Sequence, residues 1–178
     1  MGTGRKGSRR GLTGWIAEQV LRDAPCPTLV IPEASEAPAL FERVLCAADF
    51  SPASHAAIRE AVQLSEYSKQ PITLLHVADG RASNPDALAK LQSMIPQSDA
   101  GSAVARVANG RPASEILRAA RNTNAQLIVI GAGRRTRVGR RLFGNTGQLL
   151  RDTRFPILAV PVRDAANADT DGLNKVAA

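Results

Sequence analysis

From Arg43 onward the chain alternates between two hydrophobic periods. Short unbroken apolar runs, Arg43 to Ala48, Ile72 to Val77, Ala103 to Val107, Leu127 to Ile130 and Pro156 to Val162, read as strands of the buried type. Between them, apolar residues recur at helical spacing. Ile58, Ala61, Val62 and Ser65 share one face, and Leu88, Leu91 and Ile95 share another between Pro85 and Pro96. Ile116, Leu117 and Ala120 follow Pro112, and Leu149 and Leu150 lie in a short segment from Thr146 to Asp152. Ser51-Pro52 is a helix start, serine as N-cap and proline at the first helical position. Strands alternating with helices predict the α/β class: a five-stranded parallel sheet with helices on both faces. Ligands of such sheets sit at the carboxyl ends of the strands, where Asp49, Val77 and Gly131 to Gly133 fall.

The segment before this unit is patterned too. Trp15, Ile16, Gln19, Val20 and Leu21 predict a short helix stopped by Ala24-Pro25, and Thr28 to Ile31 a short strand between prolines. Residues 33–41 read as a linker and residues 164–178 as a disordered tail without periodicity. Residues 2–32 repeat residues 131–161 at a constant offset without a gap. Ten of the 31 positions are identical, among them Gly2/Gly131, Gly4/Gly133, Arg5/Arg134, Asp23/Asp152, Leu29/Leu158 and Pro32/Pro161. Residues 1–32 are thus expected to be the C-terminal remnant of a first domain, and residues 42–163 a complete second copy. Met1 aligns with the last residue of a strand, which suggests descent from, or truncation of, a two-domain protein. The orphan strand Thr28 to Ile31 needs a partner, and pairing with Pro156 to Val162 is expected, within the chain or across a dimer.

Composition adds limits. Aromatic residues are 3% of the 178, so the core is aliphatic, and the base-stacking platforms of single-strand nucleic-acid binders are missing. The net charge of +7 comes from two loops. Arg5, Lys6, Arg9 and Arg10 lie in one, and Arg134, Arg135, Arg137, Arg140 and Arg141 in the other; the other 14 basic residues face 16 acids. Focal positive charge suits an anionic ligand, unless these arginines are merely solvated. Cys26 and Cys46 lack metal-ligand spacing, and Cys46 reads as a small core residue. No apolar stretch reaches membrane-spanning length and no signal-peptide core is present, so a cytoplasmic protein is expected.

The chemistry concentrates after Leu127-Ile128-Val129-Ile130. Gly131-Ala132-Gly133 leads into Arg134-Arg135 and on to Gly144-Asn145-Thr146 before the next helix. Strand, glycine loop and helix start form a layout that cradles phosphate: glycines admit close backbone approach, and a helix N-terminus offers free N–H groups. No His, Ser and acid set is visible as a unit, and Ser51, Ser54 and His55 are neighbours in sequence only. His76 reads as structural.

The complete unit resembles the universal stress protein family. The resemblance rests on Asp49, His76-Val77, Gly110 with Pro112-Ala113-Ser114-Glu115-Ile116-Leu117, Leu127 to Gly131, Leu149-Leu150-Arg151 and Phe155 to Pro161. Residues 1–32 look like the end of another such domain, Val20-Leu21-Arg22-Asp23-Ala24-Pro25-Cys26-Pro27 carrying that match. The resemblance implies a Rossmann-like, adenine nucleotide alpha hydrolase-like sheet, a role in the stress response, and dimers or tandem pseudo-dimers. It implies ATP binding in some members, through a loop of the form Gly, two residues, Gly, nine residues, Gly, Ser or Thr. There the Asp49 and Val77 positions meet the adenosine part. The loop, here Gly131, Gly133, Arg134, Gly144, Asn145 and Thr146, holds the phosphates. This chain departs from that form. The first two glycines are one residue too close, Phe143 stands where the third is due, and Trp15 fills the Ser/Thr place of the N-terminal copy.

The expectation is therefore a non-enzymatic stress-response protein that binds ATP or another adenine nucleotide weakly. The competing reading is a nucleotide-independent interaction module that dimerises through edge strands. A weak ATPase ranks last, for want of a general base.

Overall fold

A computed structural model describes residue 20, residues 24–32, residue 35, residues 41–78, 84–95, 103–132, residue 149 and residues 153–162. Six strands form one sheet: β1 (Thr28–Val30), β2 (Val44–Ala48), β3 (Ile72–Ala78), β4 (Ala103–Asn109), β5 (Leu127–Ala132) and β6 (Ile157–Pro161), in the order β1-β6-β5-β2-β3-β4. β2 to β6 are mutually parallel, as expected, and β1 adds a sixth, antiparallel strand to the predicted five. The helices are α1 (Pro52–Ser68), α2 (Asn84–Ser93) and α3 (Pro112–Asn122).

Each strand feeds two cores because successive side chains point to opposite faces. Val44, Cys46, Leu74, Leu127, Val129 and Val160 pack under α1 and α2 with Ile58, Ala61 and Leu91. Leu45, Leu75, Ile128, Ile130 and Ile157 pack under α3 with Ile116, Leu117 and Ala120, and Leu149 joins them. Leu149 is helical and buried. The rest of the predicted 146–152 helix, and of the 15–23 helix around helical Val20, lies outside the described residues. The linker around Ser35 and the 164–178 tail lie there too, apart from Ser35 and Phe41.

α1 begins as the sequence requires. Ser51 is extended, its hydroxyl accepts from the Ser54 amide, and Pro52 occupies the first turn. The helix ends at Lys69 in a left-handed conformation, whose amide reaches the Ser65 carbonyl. α3 starts at Pro112 after Gly110, whose φ of +139° is open to glycine alone and where a Cβ would press the Glu115 side chain.

β1 pairs with β6 within the chain, as expected for the orphan strand. Thr28 faces Ala159, Leu29 faces Leu158 and Val30 faces Ile157. In the internal repeat Leu29 corresponds to Leu158, Thr28 to Ile157 and Val30 to Ala159. The two copies of the strand are therefore related by a local two-fold centred on the Leu29–Leu158 pair, each copy meeting its own repeat.

Candidate functional site

The chain runs from β2 to β3 to β4 in one direction, then returns to place β5 and β6 on the other side of β2. The carboxyl edge between β2 and β5 is thus the switch point of the sheet, where the flanking connections diverge and leave a crevice. Ala47 pairs with Ile130 and Ala48 with His76, so Asp49, Val77 and the Gly131–Ala132 end of β5 arrive at one level on three neighbouring strands. Sequence reasoning placed these residues together, and the register does so.

Asp49 is held by α1. Its Oδ1 accepts from the Ser51 amide at 3.1 Å and from the Ser54 hydroxyl, and the Ser54 Oγ accepts in turn from the Asp49 amide at 2.9 Å. Ser54 is buried, whereas Asp49 is exposed as a residue. Partial desolvation of the carboxylate raises its pKa, but the hydrogen bonds from Ser51 and Ser54 outweigh it and hold the group below its ordinary 3.8. Oδ1 is spent on the helix start. Among the described residues Oδ2 makes no hydrogen bond, which leaves an ionised acceptor at the switch point.

Gly131 has a packing role beside the one its motif suggested. A Cβ there would lie 2.5 Å from the Ala53 carbonyl carbon and 2.7 Å from its oxygen. The glycine lets the first turn of α1 rest against the end of β5, so it builds the wall of the crevice through packing. Val77 continues the face that carries Leu75 and packs partly buried against the α3 core. Gly133, Arg134, Gly144, Asn145 and Thr146 lie outside the described residues.

Phe50, Lys90 and the bond from Ser54 are parts that sequence reasoning missed. Phe50 adopts φ +63°, a left-handed conformation uncommon for a bulky residue and costing about 1–3 kcal/mol. Its ring lies 4.2 Å from that of His76, centroid to centroid, and the Lys90 ammonium sits 4.5 Å from its centroid. The His76 Nδ1–H donates to the Ala48 carbonyl at 2.9 Å, so His76 is a brace, as expected. Nothing in the sequence marks a phenylalanine for positive φ. The turn it makes directs Asp49 back to α1. Among the described residues no group of His, Cys, Asp and Glu could hold a metal ion, and no helix is long and apolar enough to cross a membrane.

A family model described as "Universal stress protein family" matches residues 40–161. No curated protein matches the sequence significantly. Among solved structures, a universal stress protein from Archaeoglobus fulgidus DSM 4304 is 22% identical with a TM-score of 0.66, over 82% of this chain and 53% of its own. The chain therefore spans about half the length of that protein. A universal stress protein in complex with cAMP is 21% identical with a TM-score of 0.56, over 70% of this chain and 99% of its own. A universal stress protein from Archaeoglobus fulgidus in complex with dAMP is 19% identical with a TM-score of 0.52, over 66% of this chain and 96% of its own.

Proposed function

The chain belongs to the universal stress protein family, and from that premise we propose that it is a non-enzymatic stress-response protein that binds ATP or another adenine nucleotide weakly. The site is the carboxyl edge between β2, β3 and β5. The observation that carries this reading is the Oδ2 of Asp49, unbonded among the described residues, an ionised acceptor held at the switch point by Ser51 and Ser54. A ribose hydroxyl or an adenine amine is a donor that such an oxygen takes. Val77 supplies an apolar contact, and the segment from Gly133 through Arg134 to Gly144, Asn145 and Thr146 is proposed to meet the phosphates. The neighbours solved with cAMP and dAMP make an adenine nucleotide the first class to try.

The same reading takes residues 1–32 as the C-terminal remnant of a first domain of this kind. Its support is the Leu29–Leu158 pairing, in which β1 occupies the edge of β6. That favours a pseudo-dimer within the chain over a homodimer through β6.

Calorimetric titration with ATP and Mg²⁺, and separately with AMP, tests the nucleotide reading. Saturable heat with a dissociation constant of about 10–500 µM is expected, equivalent to roughly 4.5–7 kcal/mol. Asp49→Ala should abolish it. No heat for either nucleotide at millimolar concentration overturns the reading and leaves the nucleotide-independent interaction module.

A further inference from the structure

The sheet treats its two edges differently. At one, β1 seals β6; at the other, β4 is the terminal strand over seven residues. Every second residue of β4 directs its N–H and C=O away from β3, and no described strand accepts them. Outside β4, α2 and α3 flank a groove of about 550 Å³ whose lining includes Leu75, Leu88, Ala105, Val107 and Ala119. It lies away from Asp49 and the switch point.

The register tells the two sides of this groove apart. Val104, Arg106 and Ala108 pair with Thr73, Leu75 and Val77 and so share the α3 face; Ala105 and Val107 share the face covered by α2. The α2 side is apolar. The α3 side is basic, since Arg106 is exposed and has no acidic partner among the described residues. Arg118 is 64% exposed, and the Glu115 it contacts is the single acid lining the groove among the described residues.

We propose that the β4 edge is a docking site for an extended acidic peptide that adds to the sheet as a further strand. Backbone bonds to β4 hold it, alternate aliphatic side chains sit against Ala105, Val107 and Leu88, and a carboxylate on the other face pairs with Arg106. Charge decides the occupant. A second copy of this chain, paired antiparallel about the middle of β4, sets Arg106 against Arg106, a like-charge cross-strand pair.

The test is fluorescence polarisation with two labelled peptides, each matching the seven residues of β4. One alternates Val and Glu, the other Val and Lys. The Glu peptide is expected to bind about fivefold to tenfold more tightly than the Lys peptide, because facing charges contribute attraction in one and repulsion in the other. Arg106→Glu, a surface change checked for folding by circular dichroism, should reverse the order. Equal affinities, no binding of either peptide, or an unchanged order in Arg106→Glu each overturn the proposal. So does a concentration-dependent dimer, seen by sedimentation, that Val104→Lys abolishes and the Glu peptide leaves intact, since the second copy is then the occupant.

Discussion

Replacing Gly131 with alanine separates two uses of that glycine. If it serves only to admit a phosphate, the ligand-free protein keeps its stability and loses nucleotide affinity alone. The packing says otherwise. The added methyl would sit 2.5 Å from the Ala53 carbonyl carbon, 2.7 Å from its oxygen and 2.8 Å from its Cβ. Ordinary contact begins at 3.4 Å, so the shortfall is close to 1 Å against backbone, which has no rotamer to yield. The first turn of α1 must lift from β5, and Ala57, Ile58 and Ala61 lift with it from the sheet. Overpacking of a close-packed interior costs about 1–3 kcal/mol, and a backbone obstacle puts this case near the upper end. For a unit of this size about 2.5 kcal/mol lowers the melting temperature by roughly 5–12 °C. Urea unfolding of the ligand-free protein, followed by circular dichroism, measures it. A loss under about 0.5 kcal/mol would show that α1 adjusts freely and would refute the packing role.

The hydrogen bonds and burial of other residues set further expectations. Ser54→Ala removes a donor to Asp49 Oδ1 and leaves the Asp49 amide without its acceptor, so a loss of about 1–2 kcal/mol is expected in chemical denaturation. Because the folded pKa of Asp49 is depressed, the stability its charge contributes is full above 3.8 and fades as pH falls through the lower folded value. The urea midpoints of the wild type and Asp49→Asn should therefore differ at neutral pH and converge in acid, below the depressed folded value. Burial pushes the Cys46 thiol up to about 12, whereas Cys26 is exposed; a colorimetric thiol reagent should label one thiol of the native protein at once and both in denaturant. Leu45→Ala empties a fully buried site between β3 and β5 and should cost about 2–5 kcal/mol, read from the same unfolding curves.

The central strands were legible because both their faces are buried, which writes an unbroken apolar run into the sequence. The edge strand β4 carries a fainter version, its burial alternating where β2 and β5 are buried almost throughout. Helix starts at Ser51-Pro52 and Pro112 were legible from chemistry local to the residue. Helix ends were less so, since Lys69 takes up the left-handed conformation that a glycine would have announced. Asp49 and Val77 could be placed at the sheet edge because a strand end is a position that hydrophobic pattern locates. What Asp49 is bonded to was hidden, since it depends on the turn at Phe50, and that turn is held by His76 and Lys90 from other elements. Gly131 was legible as a glycine, but its packing neighbour was not. A motif shows that a backbone must be approached closely, whereas only the fold shows that Ala53 makes the approach.

The pairing of Leu29 with Leu158 has a consequence for how this seam responds to dilution. An isologous contact between separate subunits opens once the protein falls below its dissociation constant. Here both halves of the two-fold belong to one chain, and the intervening polypeptide keeps each at a local concentration on the order of millimolar to the other. A three-residue strand, too short to recruit a subunit by itself, can then stay docked at any abundance of the protein in the cell.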